Sequence, residues 1–325
     1  MKRGTSNFNF ICGVDKPSGK SSHDVINYMR HALGEGRIGH MGTLDPLATG
    51  VLIVGVGSSV RLNKYINLQN KEYIVDATFG VSTDSLDSDG TIEQVLYPNN
   101  EFLNNDWAVK QLKMFEGKCM QTPPNISAIK IHGTPAYKIA RSGQNPNMSA
   151  REVVIYSIKL VKVFKAGNTK LSSVNLDKLV TWRLKVSCSK GTYVRSLVRD
   201  IACKLNTCGH VSSLIRTKVG SINISDCMKL QFLNKSRIKK LNPLKLLNFA
   251  CASVDNSTYN KIKNGCEIST SNLNFVEFNT FKKQRCLHNE NNLVCIIYKS
   301  KLIAIYKVIN NIASPEIVFN IPIDI

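Results

Sequence analysis

An aspartate that precedes a proline lies in a glycine-rich loop, and this loop leads into an apolar run. The segment 39–57 reads G-H-M-G-T-L-D-P-L-A-T-G-V-L-I-V-G-V-G. Pro46 disfavours α geometry at Asp45, and residues 51–56 predict a buried strand. A carboxylate presented between two leucines at the edge of such a strand can act as a nucleophile or as a base. An ordinary Asp-Pro turn is the simpler interpretation, but it leaves the rest of the loop unexplained.

Two tyrosines and an arginine are the other candidates for chemistry. Tyr73 opens an alternating stretch, Y-I-V-D-A-T-F, which predicts a strand. Tyr193 and Arg195 follow a glycine turn, S-K-G-T-Y-V-R, at the start of a helical pattern. A helix that begins there can aim a guanidinium group and backbone amides into a cleft. The alternative is that both tyrosines are core aromatics and that the arginine lies on the surface.

The composition favours a polyanionic partner. The 325 residues contain 43 Lys and Arg against 23 Asp and Glu, a net charge of +20, and 43% are hydrophobic. Such an excess of positive charge indicates nucleic acid, although a coding bias toward lysine could also produce it. The length allows one large domain and a small one. With no long apolar run and no export signal, the sequence predicts a soluble, cytoplasmic protein.

The cysteine pattern indicates reduced thiols and no metal site. Ten cysteines are scattered without a C-x-x-C pair. The nearest approach to a metal cluster is Cys203, Cys208 and His210, whose spacing fits no standard zinc pattern and supplies only three ligands. We therefore expect buried, reduced cysteines.

The remaining pattern predicts mixed helices and strands. Ser21 and Asp24 form a capping-box pattern at the start of a helix that Gly34 should end. A P-loop interpretation of the Gly-Lys-Ser at 19–21 fails, because five residues rather than four separate the two glycines. The other predicted elements are a strand at 10–14, helices at 58–68 and 102–117, a projecting element at 122–143, a strand at 182–187 and a β-rich region after 247.

Several of these motifs, in this order, resemble those of the TruB family of tRNA pseudouridine synthases. The Asp45 loop is similar to the family's G-H-x-G-T-L-D-P-x-A-x-G-V-L, and C-S-K-G-T-Y-V-R-S-L-V-R-D to its third motif. The resemblance extends over about residues 10–220. The other matching motifs are D-K-P-x-G-x-[ST]-S with Lys16, [KR]-x-Y with Tyr73, T-D-x-x-D-x-x-G, P-P-x-x-S-A-x-K with Lys130, G-x-x-A-Y-x-x-A-R-x-G with Arg141, and [GA]-x-x-x-x-L-x-R-x-x-x-G with Leu214.

This resemblance implies an α+β protein with the pseudouridine synthase fold. We expect a mixed, largely antiparallel sheet flanked by helices in a catalytic domain at 1–247. An insertion at about 122–152 would grip RNA, and 248–325 would form a small, β-rich, PUA-like RNA-binding domain. One departure is Asn125-Ile126, where many relatives carry an aromatic residue; it affects the expected grip on RNA rather than the chemistry.

The resemblance also implies a reaction, the isomerisation of uridine to pseudouridine in tRNA at position 55 of the TΨC loop. The reaction consumes nothing, so no metal or organic cofactor is expected. The partner would be the TΨC stem-loop, bound by a monomer without a protein partner. The implied roles are Asp45 as nucleophile or base, Arg195 paired with Asp45, Tyr73 stacked on the flipped base, Tyr193 and Leu214 lining the pocket, His40 contacting the displaced loop or supporting its motif, and Lys16, Lys130 and Arg141 as structural or RNA-contacting residues.

Three alternatives stay open. A guide-RNA-dependent synthase shares the aspartate motif, although the insertion favours an enzyme that acts alone. The chain could instead be a tRNA-binding folding chaperone whose catalysis is secondary. A P-loop NTPase is disfavoured by the glycine spacing.

Overall fold

The structure of the chain is a computed structural model, and it describes residues 8–165, 174–234, 237–276 and 292–325. Cys286, one of the ten predicted thiols, lies outside these residues. Within them, the α-helices are α1 (Ser22–Leu33), α2 (Asn63–Ile66), α3 (Asn105–Leu112), α4 (Ala136–Arg141), α5 (Val194–Lys204), α6 (Leu244–Leu247) and α7 (Asn256–Lys263). Short 3₁₀ helices span Gly57–Leu62, Asn100–Leu103, Lys113–Phe115, Leu176–Lys178, Ile224–Asp226, Leu230–Phe232 and Thr270–Asn272.

Strands account for much of the remaining described chain. They are β1 (Phe10–Lys16), β2 (Ile38–His40), β3 (Thr49–Val56), β4 (Lys71–Phe79), β5 (Val81–Thr83), β6 (Ile92–Val95), β7 (Gly117–Gln121), β8 (Lys130–Ile131), β9 (Thr134–Pro135), β10 (Arg151–Lys165), β11 (Val180–Cys188), β12 (Gly209–Val219), β13 (Ile222–Asn223), β14 (Met228–Lys229), β15 (Lys240–Leu241), β16 (Ala250–Ser253), β17 (Ile268–Ser269), β18 (Asn274–Val276), β19 (Leu293–Tyr298), β20 (Lys301–Ile309) and β21 (Ile312–Asp324).

The chain folds into two compact units. Unit 1 consists of Met1–Asp45, Val51–Gln69 and Gly220–Ile325, and unit 2 of Pro46–Gly50 and Asn70–Val219. The chain therefore leaves unit 1 directly after Asp45 and returns to it after five residues. The predicted domain boundary at 247/248 falls inside unit 1, at the end of α6, and the predicted division into two domains stays a prediction.

Unit 1 contains two groups of strands. In the first, β1 pairs in parallel with β14 and antiparallel with β15, and β2 pairs antiparallel with β3. The second is a six-stranded sheet in the order β17-β21-β20-β19-β16-β18. It has its own hydrophobic core, which includes Val294, Ile296, Ala304 and Tyr306. The β-rich character predicted for the chain after residue 247 is confirmed by this sheet.

Helix α1 shows how local sequence fixes the position of one element in unit 1. Ser21 has an extended conformation and forms a reciprocal capping box with Asp24, and Gly34 ends the helix in the left-handed region at φ 63°. This box satisfies backbone donors that would otherwise have no partner. Four of the side chains that α1 buries, Val25, Ile26, Met29 and Leu33, are those that the helical spacing predicts.

Unit 2 is built on an antiparallel run of strands in the order β12-β4-β11-β10-β7. An aromatic cluster fills the core on one side of this sheet. Phe79 and Phe102 pack edge-on, their ring centroids 5.1 Å apart, and Trp182 donates its indole N–H to the Phe102 carbonyl at 2.8 Å. Trp107 of α3 lies 6.0 Å from Trp182, so α3 covers this face.

Two predicted helices differ from those observed. The segment predicted at 58–68 is mainly a 3₁₀ helix followed by the single turn α2. The segment predicted at 102–117 is divided into 3₁₀, α and 3₁₀ pieces. The cause of the second difference is Asn104, whose extended backbone and side-chain bond to the Trp107 amide make it an N-cap. A helix therefore begins after Asn104 instead of running through it.

Side-chain chemistry elsewhere follows the prediction in part. The nine cysteines in the described ranges are free thiols, and five of them are buried. Cys119 and Cys227 are only half-buried, and the prediction of burial was wrong for Cys203 and Cys266, which are exposed. Among the described residues, no group of three or more His, Cys, Asp or Glu side chains could hold a metal ion. None of the helices in the same part of the chain has both the length and the apolar character needed to cross a bilayer.

Candidate active site

Asp45 is the last residue of the first segment of unit 1, in the loop between β2 and β3, and it is half-buried. The residue before it, Leu44, is held by one side chain at both of its backbone groups. The Ser22 hydroxyl accepts the Leu44 N–H at 2.8 Å and donates to the Leu44 carbonyl at 2.9 Å. Because Ser22 is the first residue of α1, the capped start of this helix fixes the backbone that carries the carboxylate.

The loop before α1 is organised around Lys16. This side chain is fully buried, and its ammonium donates to the carbonyls of Pro17 at 2.9 Å and Lys20 at 2.5 Å. A buried cation that is bonded to backbone carbonyls satisfies hydrogen-bonding groups inside the protein. The predicted role of Lys16, structural or RNA-contacting, stays a prediction.

His40 is the last residue of β2, and it lies opposite Val54 of β3. The next residue, Met41, donates its backbone N–H to the Ile53 carbonyl at 2.8 Å. Gly55 lies close to this segment: a Cβ there would lie 2.5 Å from the end of the Met41 side chain, which would have to shift, and 3.1 Å from the Val60 nitrogen. This strand pair holds the N-terminal side of the Asp45 loop, and the predicted role of His40 stays a prediction.

The C-terminal side of the loop belongs to unit 2 and ends at Gly50. Its φ is +99°, and a Cβ added to it would lie 2.3 Å from the Arg216 carbonyl oxygen. Gly50 and Arg216 are partners in the parallel pairing of β3 with β12. A side chain cannot fit between backbones this close, so the motif requires glycine for a steric reason.

Tyr73 and Leu214 lie on one face of the unit 2 sheet. Leu214 of β12 is the Cα partner of Val75 of β4, and Arg216 is the partner of Tyr73. Side chains of directly opposed residues share a face, and Tyr73 and Val75 share one because they are two apart. All four are buried. The sheet thus brings together two of the predicted pocket residues and adds Arg216.

A second buried cation lies at the same end of β4. Burial and the nearby Arg216 charge lower the pKa of Lys71 from 10.5 to about 8. Lys71 is also the Cα partner of Cys188, whose thiol pKa is raised by burial to about 11. Desolvation disfavours the charged form of each group.

The backbone of Tyr193 is positioned by two hydrogen bonds to the side-chain amide of Gln121. The Gln121 amide accepts the Tyr193 N–H at 2.8 Å and donates to the Tyr193 carbonyl at 3.1 Å. Tyr193 is the N-cap residue of α5. The two bonds fix the backbone from which α5 begins, two residues before Arg195.

The Arg195 guanidinium is buried within unit 2 and surrounded by acceptors. It donates to the carbonyls of Ser85 at 2.6 Å and Ile126 at 3.1 Å, and it lies 3.5 Å from Oδ2 of Asp87. Ile126 uses only its carbonyl here, so the absence of an aromatic side chain at this position does not affect the contact. The predicted pairing of Arg195 with Asp45 stays a prediction.

Asp87 is itself fixed by the turn in which it lies. Its Oδ1 accepts the Ser85 hydroxyl at 2.6 Å and the Asp89 N–H at 3.1 Å, and its backbone bridges to Val211 of β12. A buried carboxylate bonded in this way compensates the charge of a buried arginine. This turn is the T-D-S-L-D-S-D-G segment, which therefore supports Arg195.

The insertion of unit 2 carries the remaining predicted contacts. It contains the β8–β9 hairpin and α4, and both Lys130 and Arg141 are exposed. Arg141 lies over the Tyr137 ring, 5.8 Å from its centroid. Exposed cations can contact a phosphate backbone, and the predicted RNA contacts of Lys130 and Arg141 stay predictions.

Four residues that position the site are absent from the sequence-based prediction: Ser22, Asp87, Gln121 and Arg216. Ser22 acts on a loop 22 residues away, Gln121 on a backbone 72 residues away and Asp87 on Arg195 across the sheet. The D-K-P-x-G-x-[ST]-S, T-D-x-x-D-x-x-G and L-x-R motifs contain signals for Ser22, Asp87 and Arg216. No local pattern marks Gln121.

Comparison with known proteins agrees with this geometry. Residues 30–194 match the model of the TruB family pseudouridylate synthase N-terminal domain. Proteins named tRNA pseudouridine synthase B are similar over most of their length. The protein from Borreliella burgdorferi strain ZS7 is 34% identical, and the match covers 83% of this chain and 90% of the relative. The protein from Caldanaerobacter subterraneus subsp. tengcongensis is 37% identical, and the match covers 78% of this chain and 84% of the relative.

Solved structures give the same fold. The chain superimposes on an H/ACA RNP bound to a substrate RNA containing 2'-deoxyuridine with a TM-score of 0.64 and 18% identity, covering 95% of this chain and 84% of the other. An archaeal box H/ACA sRNP Nop10–Cbf5 complex gives a TM-score of 0.63 at 18% sequence identity, and the match covers 98% of this chain and 88% of the other. This similarity confirms the predicted α+β class, the pseudouridine synthase fold with a small, β-rich, PUA-like part.

The fold similarity, the family match and the curated relatives together define the class of protein, an isomerase with the pseudouridine synthase fold. The extent of the family match and of the identity to curated relatives makes the assignment more specific. The chain belongs to the TruB family of pseudouridine synthases.

Proposed function

We propose that this protein isomerises uridine to pseudouridine in tRNA, at position 55 of the TΨC loop, and that it acts alone as a cytoplasmic monomer. The substrate class is taken from the relatives named tRNA pseudouridine synthase B, to which the chain is 34–37% identical. The net charge of +20 supports an RNA substrate.

The observation that carries the proposal is the position of Asp45. Its backbone is fixed by the Ser22 clamp on Leu44, and Pro46 follows it. The carboxylate is half-buried. A reacting group held by a rigid backbone loses little entropy when the substrate binds.

The proposed reaction is balanced without a co-reactant. The C1′–N1 bond breaks, the uracil turns and C1′ bonds to C5; the C5 proton is lost and N1 gains a proton. Asp45 starts this sequence either by attack on C1′ or as a base. The nucleotide must first leave its stack, and the Tyr73 ring is proposed to replace the lost stacking. Tyr73 is also a candidate to help remove the C5 proton.

The other residues are proposed to organise the pocket. Arg195 pairs with Asp45 and orients it, Tyr193 and Leu214 form walls, and His40 contacts the displaced loop or supports its motif. Lys130 and Arg141 contact the RNA backbone from the insertion. No metal or organic cofactor enters these steps.

The test is pseudouridine formation in an unmodified tRNA transcript by the purified protein, without guide RNA, metal or nucleotide. Wild type should modify one loop position. Asp45→Asn should reduce the rate by at least about 10⁴-fold while it still binds tRNA. Asp106→Asn, which changes an exposed aspartate in the first turn of α3, is the matched control and should remain active.

Other results would favour the alternatives. A folded wild type that binds tRNA but makes no product without guide RNA would support a guide-dependent synthase. Accelerated tRNA folding that persists in Asp45→Asn, with no product from wild type, would support a chaperone role.

A further inference from the structure

One side of the β10–β11 pair in unit 2 carries an exposed cluster of positive charge that the proposed chemistry does not use. Lys159 and Lys162 of β10 are Cα partners of Lys185 and Arg183 of β11. All four side chains are exposed, and Phe164 lies next to them on β10. We call these five residues the basic face. The neighbouring residues Trp182, Leu184 and Val186 point into the core, so the basic face lies on the opposite side of the sheet.

The charges on the basic face are arranged unfavourably for the isolated protein. Two pairs of like charges lie directly opposite each other, and such cross-strand pairs destabilise a sheet. Two acidic residues of β4 neutralise cations of β11 only. Asp76 accepts two hydrogen bonds of 2.7 Å from Arg183, and the Glu72 carboxylate lies 3.0 Å from the Lys185 ammonium.

The lysines of β10 differ from those cations. Within the described residues, neither Lys159 nor Lys162 has a carboxylate within 4 Å of its ammonium, and both are therefore available to an anion from outside. Like charges that face each other across two strands destabilise the protein. Such an arrangement is expected on a surface that binds a polyanion, because the polyanion supplies the missing negative charge.

An aromatic ring adds a second feature. The Phe164 ring is half-buried, with the Lys162 ammonium 5.8 Å and the Arg183 guanidinium 5.7 Å from its centroid. Cations spaced along a strand beside a partly exposed aromatic ring are typical of surfaces that bind nucleic acid. A surface for acidic peptides needs no such ring.

We propose that the basic face binds the phosphate backbone of RNA, as a second RNA contact separate from the catalytic pocket. The RNA is that of the proposed function, a tRNA, so the inference rests on the substrate class proposed above. It does not depend on the role of Asp45. The exposed lysines contact phosphates and give affinity without sequence specificity.

The test measures the Kd of an unmodified tRNA transcript at several salt concentrations. Lys159→Glu/Lys162→Glu should weaken binding roughly tenfold near 0.1 M salt and lower the slope of log K against log salt by about two, one for each phosphate contact. The matched control is Lys110→Glu/Lys113→Glu, which makes the same charge change at exposed residues in and just after α3. It should bind nearly as wild type does.

The same variant separates binding from folding. Glutamates at 159 and 162 would lie opposite Lys185 and Arg183, and such pairs of opposite charge favour the sheet. The thermal midpoint should therefore stay constant or rise while RNA binding falls. Should the midpoint fall, Lys159→Gln/Lys162→Gln is measured instead, with the same expected change in slope.

Equal losses of affinity in the β10 variant and the control would overturn the proposal, because only net charge would then matter. Unchanged tRNA binding, with binding to anionic phosphatidylserine vesicles lost in the β10 variant only, would also overturn it and indicate a membrane surface. Failure of the proposed function would appear differently, as tRNA binding without pseudouridine in wild type.

Discussion

The two motifs that carry Asp45 and Arg195 are held in place by different physical means. In unit 1, the backbone before Asp45 is fixed by uncharged hydrogen bonds from the Ser22 hydroxyl. In unit 2, Arg195 is fixed by carbonyls and by Asp87, a buried ion of opposite charge. A neutral clamp costs little to bury, whereas a buried charge must stay compensated. We call Ser22 the neutral anchor and Asp87 the charged anchor, and we expect substitutions at the two to change stability and activity by different amounts.

The largest effect is expected from removal of the charged anchor. Asp87→Ala removes a carboxylate that lies 3.5 Å from the buried Arg195 guanidinium, so we expect a loss of about 3–5 kcal/mol in the free energy of unfolding. The value of kcat should fall by roughly 100-fold, because Arg195 is then poorly positioned. Chemical denaturation and single-turnover kinetics measure the two effects.

Asp84→Ala is the matched control, because Asp84 lies in the same turn but is exposed, and its carboxylate accepts the Thr91 N–H at 2.8 Å. It should cost about 1 kcal/mol and leave kcat nearly unchanged. Equal effects of the two substitutions would mean that the turn, and not the buried charge, supports Arg195.

Gly50→Ala tests the point where the Asp45 loop joins unit 2. The new Cβ would lie 2.3 Å from the Arg216 carbonyl oxygen, so the pairing of β3 with β12 must shift. We expect destabilisation of about 3 kcal/mol or more, the sum of this clash and the strain of a positive φ. The measurement is the denaturation midpoint and slope.

Gly117→Ala separates the two contributions. Gly117 has a φ of +104°, close to the +99° of Gly50, but no atom of the described residues lies within 4 Å of the position that its Cβ would take. The substitution should cost about 1–2 kcal/mol from backbone strain alone. If both variants lose the same stability, close packing against Arg216 does not fix the loop.

The pH dependence of stability should reveal the second buried charge of unit 2. The pKa of Lys71 is about 8 in the folded chain against 10.5 when exposed, so between these values the unfolded state binds more protons. Stability from this group therefore rises as pH increases from about 8 to 10.5, by up to about 3 kcal/mol. Below pH 8 the contribution is constant.

Lys71→Met should remove this rise, and Lys110→Met, which changes an exposed lysine of α3, should retain it. Urea denaturation at pH 7.5, 9 and 10.5 measures the difference. A rise of the same size in Lys71→Met would assign the titration to another group.

The sequence predicted those parts of the site that depend on local pattern. The capping box of α1, the strand after the Asp45 loop and the helix that starts at Val194 are all formed by neighbouring residues. The D-K-P-x-G-x-[ST]-S motif contains Ser22, but its clamp on Leu44 depends on the packing of a helix end against a distant loop, so no local pattern shows that contact. The division of the predicted helix at 102–117 had a local signal, the N-cap residue Asn104, which the hydrophobic spacing obscured.

The smallest effect is expected at the neutral anchor, where adjacent serines offer a direct comparison. Ser22→Ala leaves both backbone groups of Leu44 without the hydroxyl, and Ser21→Ala removes the N-cap of α1. Each should cost about 1 kcal/mol of stability. Only Ser22→Ala should also lower kcat, by roughly tenfold, because the backbone before Asp45 is then less well fixed. Equal kcat values in the two variants would show that the Asp45 loop holds its position without the clamp, and the contrast between a neutral and a charged anchor would then be lost.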